Sequence, residues 1–159
     1  MDKQYRHEWK HAISKSDMLT IRLRMRAIAR PDPHAVNGRY LIRSLYLDNL
    51  NDKALREKID GVNRREKWRI RYYNLDPDSV IHLEKKSRLN GLGTKYSATL
   101  TKEEAQAIVD GDLDWMMDSG RPLVQELYCK MQYQRLEPKT IVDYTREPYI
   151  YRPGNVRMS

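Results

Sequence analysis

Phenylalanine is absent from this 159-residue chain, and cysteine occurs once, at Cys129. Without Phe, aromatic packing falls to 11 Tyr and 3 Trp, side chains that carry a polar handle into whatever they fill. A single cysteine excludes an intramolecular disulfide and points to a reducing, cytoplasmic setting. Cys129 lies among Leu127, Tyr128 and Met131, which reads as a core position rather than a nucleophile. No run approaches the roughly 20 apolar residues of a membrane span, and the N-terminus lacks the charged-then-apolar pattern of a secretory signal. Gly-rich phosphate loops, nucleophile elbows, repeats and low-complexity tracts are missing too. His7, His11, His34 and His82 do not have the spacing of a transition-metal site.

What the chain has in excess is positive charge. Thirty Lys and Arg stand against 22 Asp and Glu, for a net charge of +8 and a pI near 9.6. A hydrophobic content of 40% suffices for one α+β domain over residues 1–159 and hardly for two. The charge favours an anionic partner: nucleic acid, a phosphorylated metabolite or a membrane surface. Where the cations fall must decide among them.

They alternate. In Arg65-Glu-Lys-Trp-Arg-Ile-Arg-Tyr-Tyr73, Lys67, Arg69 and Arg71 interleave with Trp68, Ile70 and Tyr72, so a strand here has a cationic side and an apolar side. Val80 to Arg88 repeats the design, with His82, Glu84, Lys86 and Arg88 opposed to Ile81 and Leu83, and Lys95, Ser97 and Thr99 fall in phase after it. Tyr5 to Ile13 sets Arg6, Glu8 and Lys10 against Trp9, His11 and Ile13 and reads as a further strand. Residues 39–48 are strand-like, with Ser44, Tyr46 and Asp48 on one face, and 139–146 returns to strand. The six strands are expected to form one curved antiparallel sheet with Lys10, Arg69, Arg71, Lys86 and Lys95 on its concave side.

Between the strands, Ser14 or Ser16 can cap a helix whose Met18, Ile21, Met25 and Ile28 make an apolar stripe. Residues 51–60 have helical composition and stop at Gly61. Thr101-Lys-Glu-Glu104 is a capping box for a helix closing at Gly111, and Pro122 opens another that runs to about Arg135.

The in-phase cations suit a phosphate chain, because Arg grips phosphate oxygens with a planar fork and Lys supplies a compact, adjustable charge. The bland alternative is a sheet face that is simply solvated, but solvated faces mix signs to avoid like-charge repulsion across strands. Glu8 and Glu84 either hold a divalent ion together with phosphate oxygens or serve as partners of nearby cations. Basic strands with Tyr and Trp also admit sequence-tolerant binding of single-stranded nucleic acid.

Taken in order, Tyr5-Arg-His-Glu-Trp-Lys10, Ser44-Leu-Tyr-Leu-Asp48, Arg69-Ile-Arg-Tyr72, Leu83-Glu-Lys-Lys86, Lys95 and Val142-Asp-Tyr-Thr-Arg146 resemble the VTC (vacuolar transporter chaperone) polyphosphate polymerase domain of bacterial stand-alone type. The resemblance spans essentially the whole chain. It implies the triphosphate tunnel fold, an antiparallel β barrel with flanking helices and a charged lumen. It also implies that Lys10, Arg69, Arg71, Lys86, Lys95, Arg146 and Arg157 hold the triphosphate of ATP and the growing polyphosphate. The activity implied is transfer of the ATP γ-phosphoryl group to a polyphosphate end with Mn²⁺ or Mg²⁺. Such chemistry asks for positioning and charge neutralisation more than for a covalent nucleophile.

Two departures qualify the resemblance. The wider superfamily opens with Glu-x-Glu-x-Lys, whereas here Arg6 precedes Glu8 and Lys10, which favours the polymerase branch over the triphosphatases. The family's metal-binding glutamate and a further tunnel lysine correspond to strands beyond Ser159. These residues are therefore expected to be the N-terminal portion of the domain, catalytically incompetent alone and prone to self-association. A tunnel triphosphatase and a non-catalytic binding module for polyphosphate, triphosphate or pyrophosphate are the competing functions.

Overall fold

The computed structural model describes residues 9–76 and 78–159. It is an α+β protein with antiparallel sheets. In chain order the elements are α1 (Lys15–Ile28), β1 (Arg30–Pro31), β2 (Tyr40–Asp48), α2 (Lys53–Ile59), β3 (Arg64–Tyr73), β4 (Ile81–Leu89), β5 (Leu92–Leu100), α3 (Lys102–Asp110), α4 (Trp115–Asp118), α5 (Pro122–Gln134), β6 (Glu137–Arg146), β7 (Tyr149–Tyr151) and β8 (Val156–Met158). They fall into two compact units, residues 43–143 and residues 9–42 with 144–159. No described helix is long and apolar enough to cross a membrane.

The first unit carries most of a five-stranded sheet of order β5-β4-β3-β2-β6. Among the described residues this sheet is open, with β5 and β6 at its edges. Its best-defined part is the antiparallel run of β3, β4 and β5. Asn90 and Gly91 join β4 to β5 as a two-residue turn with φ of 48° and 83°. Positive φ at both positions is what a tight hairpin with right-handed twist demands, so Asn-Gly here sets the register Leu89 to Leu92. β5 accordingly begins three residues earlier than the expected 95–100.

Alternation then divides the sheet into two faces. Leu47, Trp68, Ile70, Leu83 and Leu100 are buried in one core with Ile108 of α3, Met116 of α4 and Val124, Leu127 and Met131 of α5. α3 starts where the Thr101 hydroxyl accepts from Glu104 N at 3.1 Å while Glu104 Oε2 accepts from Thr101 N at 2.9 Å. It ends at Gly111, whose φ of 82° lets the chain turn away. Cys129, expected in the core, is exposed instead. The 124, 127, 131 spacing turns one side of α5 to the sheet and leaves position 129 outside it. Lys85 breaks the apolar phase of β4. Its ammonium lies over the Trp68 ring at 5.4 Å and pairs with Glu126 of α5, which ties the helix to the sheet.

In the second unit, Ser14 is the cap of α1: its hydroxyl accepts from Asp17 N at 3.1 Å, and Asp17 Oδ2 accepts from Ser14 N at 3.1 Å. The expected strand over 5–13 is not formed where it is described, since residues 9–14 belong to no regular element and Trp9 is 82% exposed. Alternation supplies a strand with a face but not with a neighbouring edge, and without pairing it does not persist. Residues 5–8 lie outside the described residues. Of the α1 stripe only Met25 is buried, while Met18, Ile21 and Ile28 remain exposed. A small antiparallel sheet, β1-β7-β8, completes this unit, with Arg30 opposite Ile150 and Ile150 opposite Arg157.

Candidate functional site

The polar face of β3, β4 and β5 is built in rows by the hairpin registers. Lys67 stands opposite Lys86, and Lys86 opposite Lys95, so three lysines line up across three adjacent strands. The next row is Arg69, Glu84 and Ser97, and the next Arg71, His82 and Thr99. Like charges directly opposite one another oppose strand pairing. Within the two neighbouring rows a single carboxylate, Glu84, offsets this charge.

Glu84 is 1% exposed and is the anion around which the cations organise. Arg69 donates from Nε to Oε2 at 2.7 Å and brings Nη2 to 2.5 Å from the same oxygen. Lys95 pairs with Oε1, and Arg71 Nη1 lies 3.9 Å from Oε2. Burial pushes the Glu84 carboxyl up, but the hydrogen bond from Lys95 and the charge and hydrogen bond of Arg69 outweigh it and hold the group at about 2. Arg69 and Arg71 are themselves buried, 5% and 4% exposed, while the Lys95 side chain is about half exposed.

β2 supplies the second set of restraints. The Tyr46 hydroxyl accepts from Arg69 Nη1 at 3.1 Å, and the Ser44 hydroxyl accepts from Arg71 Nε at 2.9 Å. The Tyr46 ring also lies under Lys67 Nζ at 5.6 Å and Arg69 Cζ at 5.8 Å. Arg69 is thus fixed from two sides, by Glu84 and Tyr46, while Arg71 is held by Ser44 with Glu84 Oε2 3.9 Å from its Nη1. Arg69 turns its nitrogens to Glu84 and Tyr46, so it and the buried Arg71 offer a phosphate chain positive charge at fixed positions, and the lysines beside them can follow such a chain.

Of the residues expected in the site, Arg69, Arg71, Lys86, Lys95 and Glu84 share this face. Lys10, Arg146 and Arg157 belong to the second unit. Lys10 is exposed and outside any regular element. The Arg146 guanidinium stacks over the Tyr144 ring at 5.6 Å. Arg157 is on β8 and pairs with the buried Asp32, whose carboxylate also accepts from His34 N at 3.0 Å. Glu8 lies outside the described residues. The site set drawn from the family resemblance omits Lys67, although the alternation of β3 places it in phase. Tyr46 and Ser44 share a phase in the sequence as well, but their bonds to Arg69 and Arg71 depend on strand order, which alternation does not reveal.

A divalent ion does not fit Glu84 as it stands, because Arg69 occupies one of its oxygens and Lys95 the other. Among the described residues no group of three or more His, Cys, Asp or Glu side chains is gathered to hold a metal. The geometry gives Glu84 the cation-partner role of the two considered from sequence.

No curated protein matches this chain. The family model described as the VTC domain matches residues 5–159, nearly its whole length. Cations in phase on neighbouring antiparallel strands accord with that match, and the chain belongs to the VTC domain family, whose function is polyphosphate-related and which is generally metal-dependent.

Proposed function

We propose that the basic face of β3, β4 and β5 binds a phosphate chain, taking both the triphosphate of ATP and polyphosphate, and serves transfer of the ATP γ-phosphoryl group to a polyphosphate end. The observation that carries this reading is the Lys67, Lys86, Lys95 row beside the fixed forks of Arg69 and Arg71. A linear polyanion crossing the strands would meet one ammonium per strand, with the guanidiniums alongside. In the transfer, a terminal polyphosphate oxygen bonds to the γ-phosphorus, the bond to the β,γ-bridging oxygen breaks, and ADP leaves. Arg69, Arg71, Lys86 and Lys95 would neutralise the non-bridging oxygens as charge shifts, the largest demand of such a step.

The test combines the chain with ATP, Mn²⁺ and a short polyphosphate primer. Lengthened polyphosphate together with ADP would support transfer at this face and would set aside the expectation that residues 1–159 are catalytically incompetent alone. Inorganic phosphate without lengthening would mark a triphosphatase, and tight tripolyphosphate binding without turnover a binding module. A duplex or single-stranded DNA that displaced tripolyphosphate from this face would overturn the phosphate-chain reading.

A further inference from the structure

We propose that Tyr46 contacts the ligand directly, donating its phenolic proton to an oxygen of the bound phosphate chain. The inference rests on the phosphate-chain reading of the same face and adds to it a neutral donor. Tyr46 lies on β2 in phase with Ser44, and its oxygen is already used as an acceptor by Arg69 Nη1 at 3.1 Å. The proton on that oxygen finds no acceptor among the described residues. The charged groups around it are Lys67, Arg69 and Arg71, which donate and cannot accept. Glu84, the carboxylate that the described rows of this face contain, is engaged by Arg69 and Lys95.

A half-buried hydroxyl ringed by donors is open to an acceptor oxygen that the described residues do not supply. An anion that satisfies the surrounding cations brings that oxygen to the same place. Burial raises the phenol's pKa, but the hydrogen bond and charge of Arg69 and the charges of Lys67 and Arg71 outweigh it and lower it, which strengthens the group as a donor. Tyr46 would thereby fix the position of one phosphate relative to the Arg69 fork, where lysines alone would let the chain slide.

Tripolyphosphate binding by calorimetry at pH 6.5 tests this on the wild type, Tyr46→Phe and Tyr46→3-fluorotyrosine. Tyr46→Phe keeps the ring under Lys67 and Arg69 and deletes only the hydroxyl. It should raise Kd about tenfold, as loss of a hydrogen bond to a charged group does, and lower the thermal midpoint, because Arg69 Nη1 loses its acceptor. Fluorination makes the phenol a better donor and a poorer acceptor, so the fluorotyrosine protein should bind more tightly than the wild type. Weaker binding would mean that Tyr46 acts only as an acceptor for Arg69 and would overturn the proposal, as would wild-type affinity in Tyr46→Phe. If Tyr46→Phe is neutral while Lys86→Thr weakens binding, this inference falls and the phosphate reading stands. A wild type that does not bind tripolyphosphate removes both.

Discussion

Arg69 and Glu84 face one another directly across the β3–β4 pair, and Arg69 closes on Glu84 Oε2 with Nε at 2.7 Å and Nη2 at 2.5 Å. Both side chains are buried, so each is the main compensation for the other's loss of water. Removing one partner of such a pair strands a charge. Glu84→Ala should therefore destabilise the protein by about 3–5 kcal/mol in urea unfolding. Tripolyphosphate should recover more stability in this variant than in the wild type, since the ligand supplies the missing negative charge.

Acid should act through the same carboxylate. The Glu84 carboxyl is held at about 2 against an ordinary value of 4.5, so its stabilisation is complete above the ordinary value and fades as pH falls through the folded one. Stability should drop between about pH 4.5 and 2. Asp32, bonded to His34 and Arg157 and also held at about 2 against an ordinary 3.8, contributes over the lower part of that window. Glu84→Gln should flatten the acid limb of a stability-against-pH curve, leaving the Asp32 share. An unchanged slope would show that Glu84 is not ionised in this environment.

The lysine row predicts opposite effects on stability and on binding. Lys86 stands between Lys67 and Lys95, so replacing it with an uncharged β-former relieves cross-strand repulsion. Removing that repulsion is worth roughly 0.2–1 kcal/mol without ligand, by thermal or urea unfolding, set against the other contacts that Lys86 makes, and Lys86→Thr should weaken tripolyphosphate binding. The same repulsion should make the unliganded wild type more stable as salt is raised, because screening acts on exposed like charges first.

Away from the basic face, Thr101→Ala removes the α3 cap, in which the hydroxyl accepts from Glu104 N at 3.1 Å. A loss of about 1 kcal/mol in chemical denaturation is expected, with unchanged tripolyphosphate affinity. A variant that loses affinity as well would tie α3 to the site.

The parts of the fold legible in the sequence were those set by local rules. Period-two alternation marks β3, β4 and β5 and separates Lys67, Arg69 and Arg71 from Trp68 and Ile70, and the Thr101 and Pro122 signals place α3 and α5. Pairing was not legible. Residues 9–13 alternate as convincingly as β4 does, yet have no strand neighbour, and the apolar residues of α1 do not say how much of their stripe is covered. Glu84 illustrates the same limit within the site. Its phase with Lys86 is local, but its closure by Arg69 depends on the β3–β4 register and its bond to Lys95 on the Asn90–Gly91 turn. Asp32 and Arg157 meet across 125 positions of chain, beyond any local pattern.

Calorimetric titration of tripolyphosphate into the wild type and the Lys86→Thr/Lys95→Thr double variant tests the central claim most directly. Lys95→Thr takes the partner of Glu84 Oε1 while Arg69 stays paired with Oε2, so the thermal midpoint is read alongside affinity to show that the double variant is folded. The account predicts a saturable wild-type site whose affinity falls by at least tenfold in the double variant and whose binding weakens with added salt. Equal affinity in the two proteins would contradict the assignment of this sheet face as the phosphate-chain site.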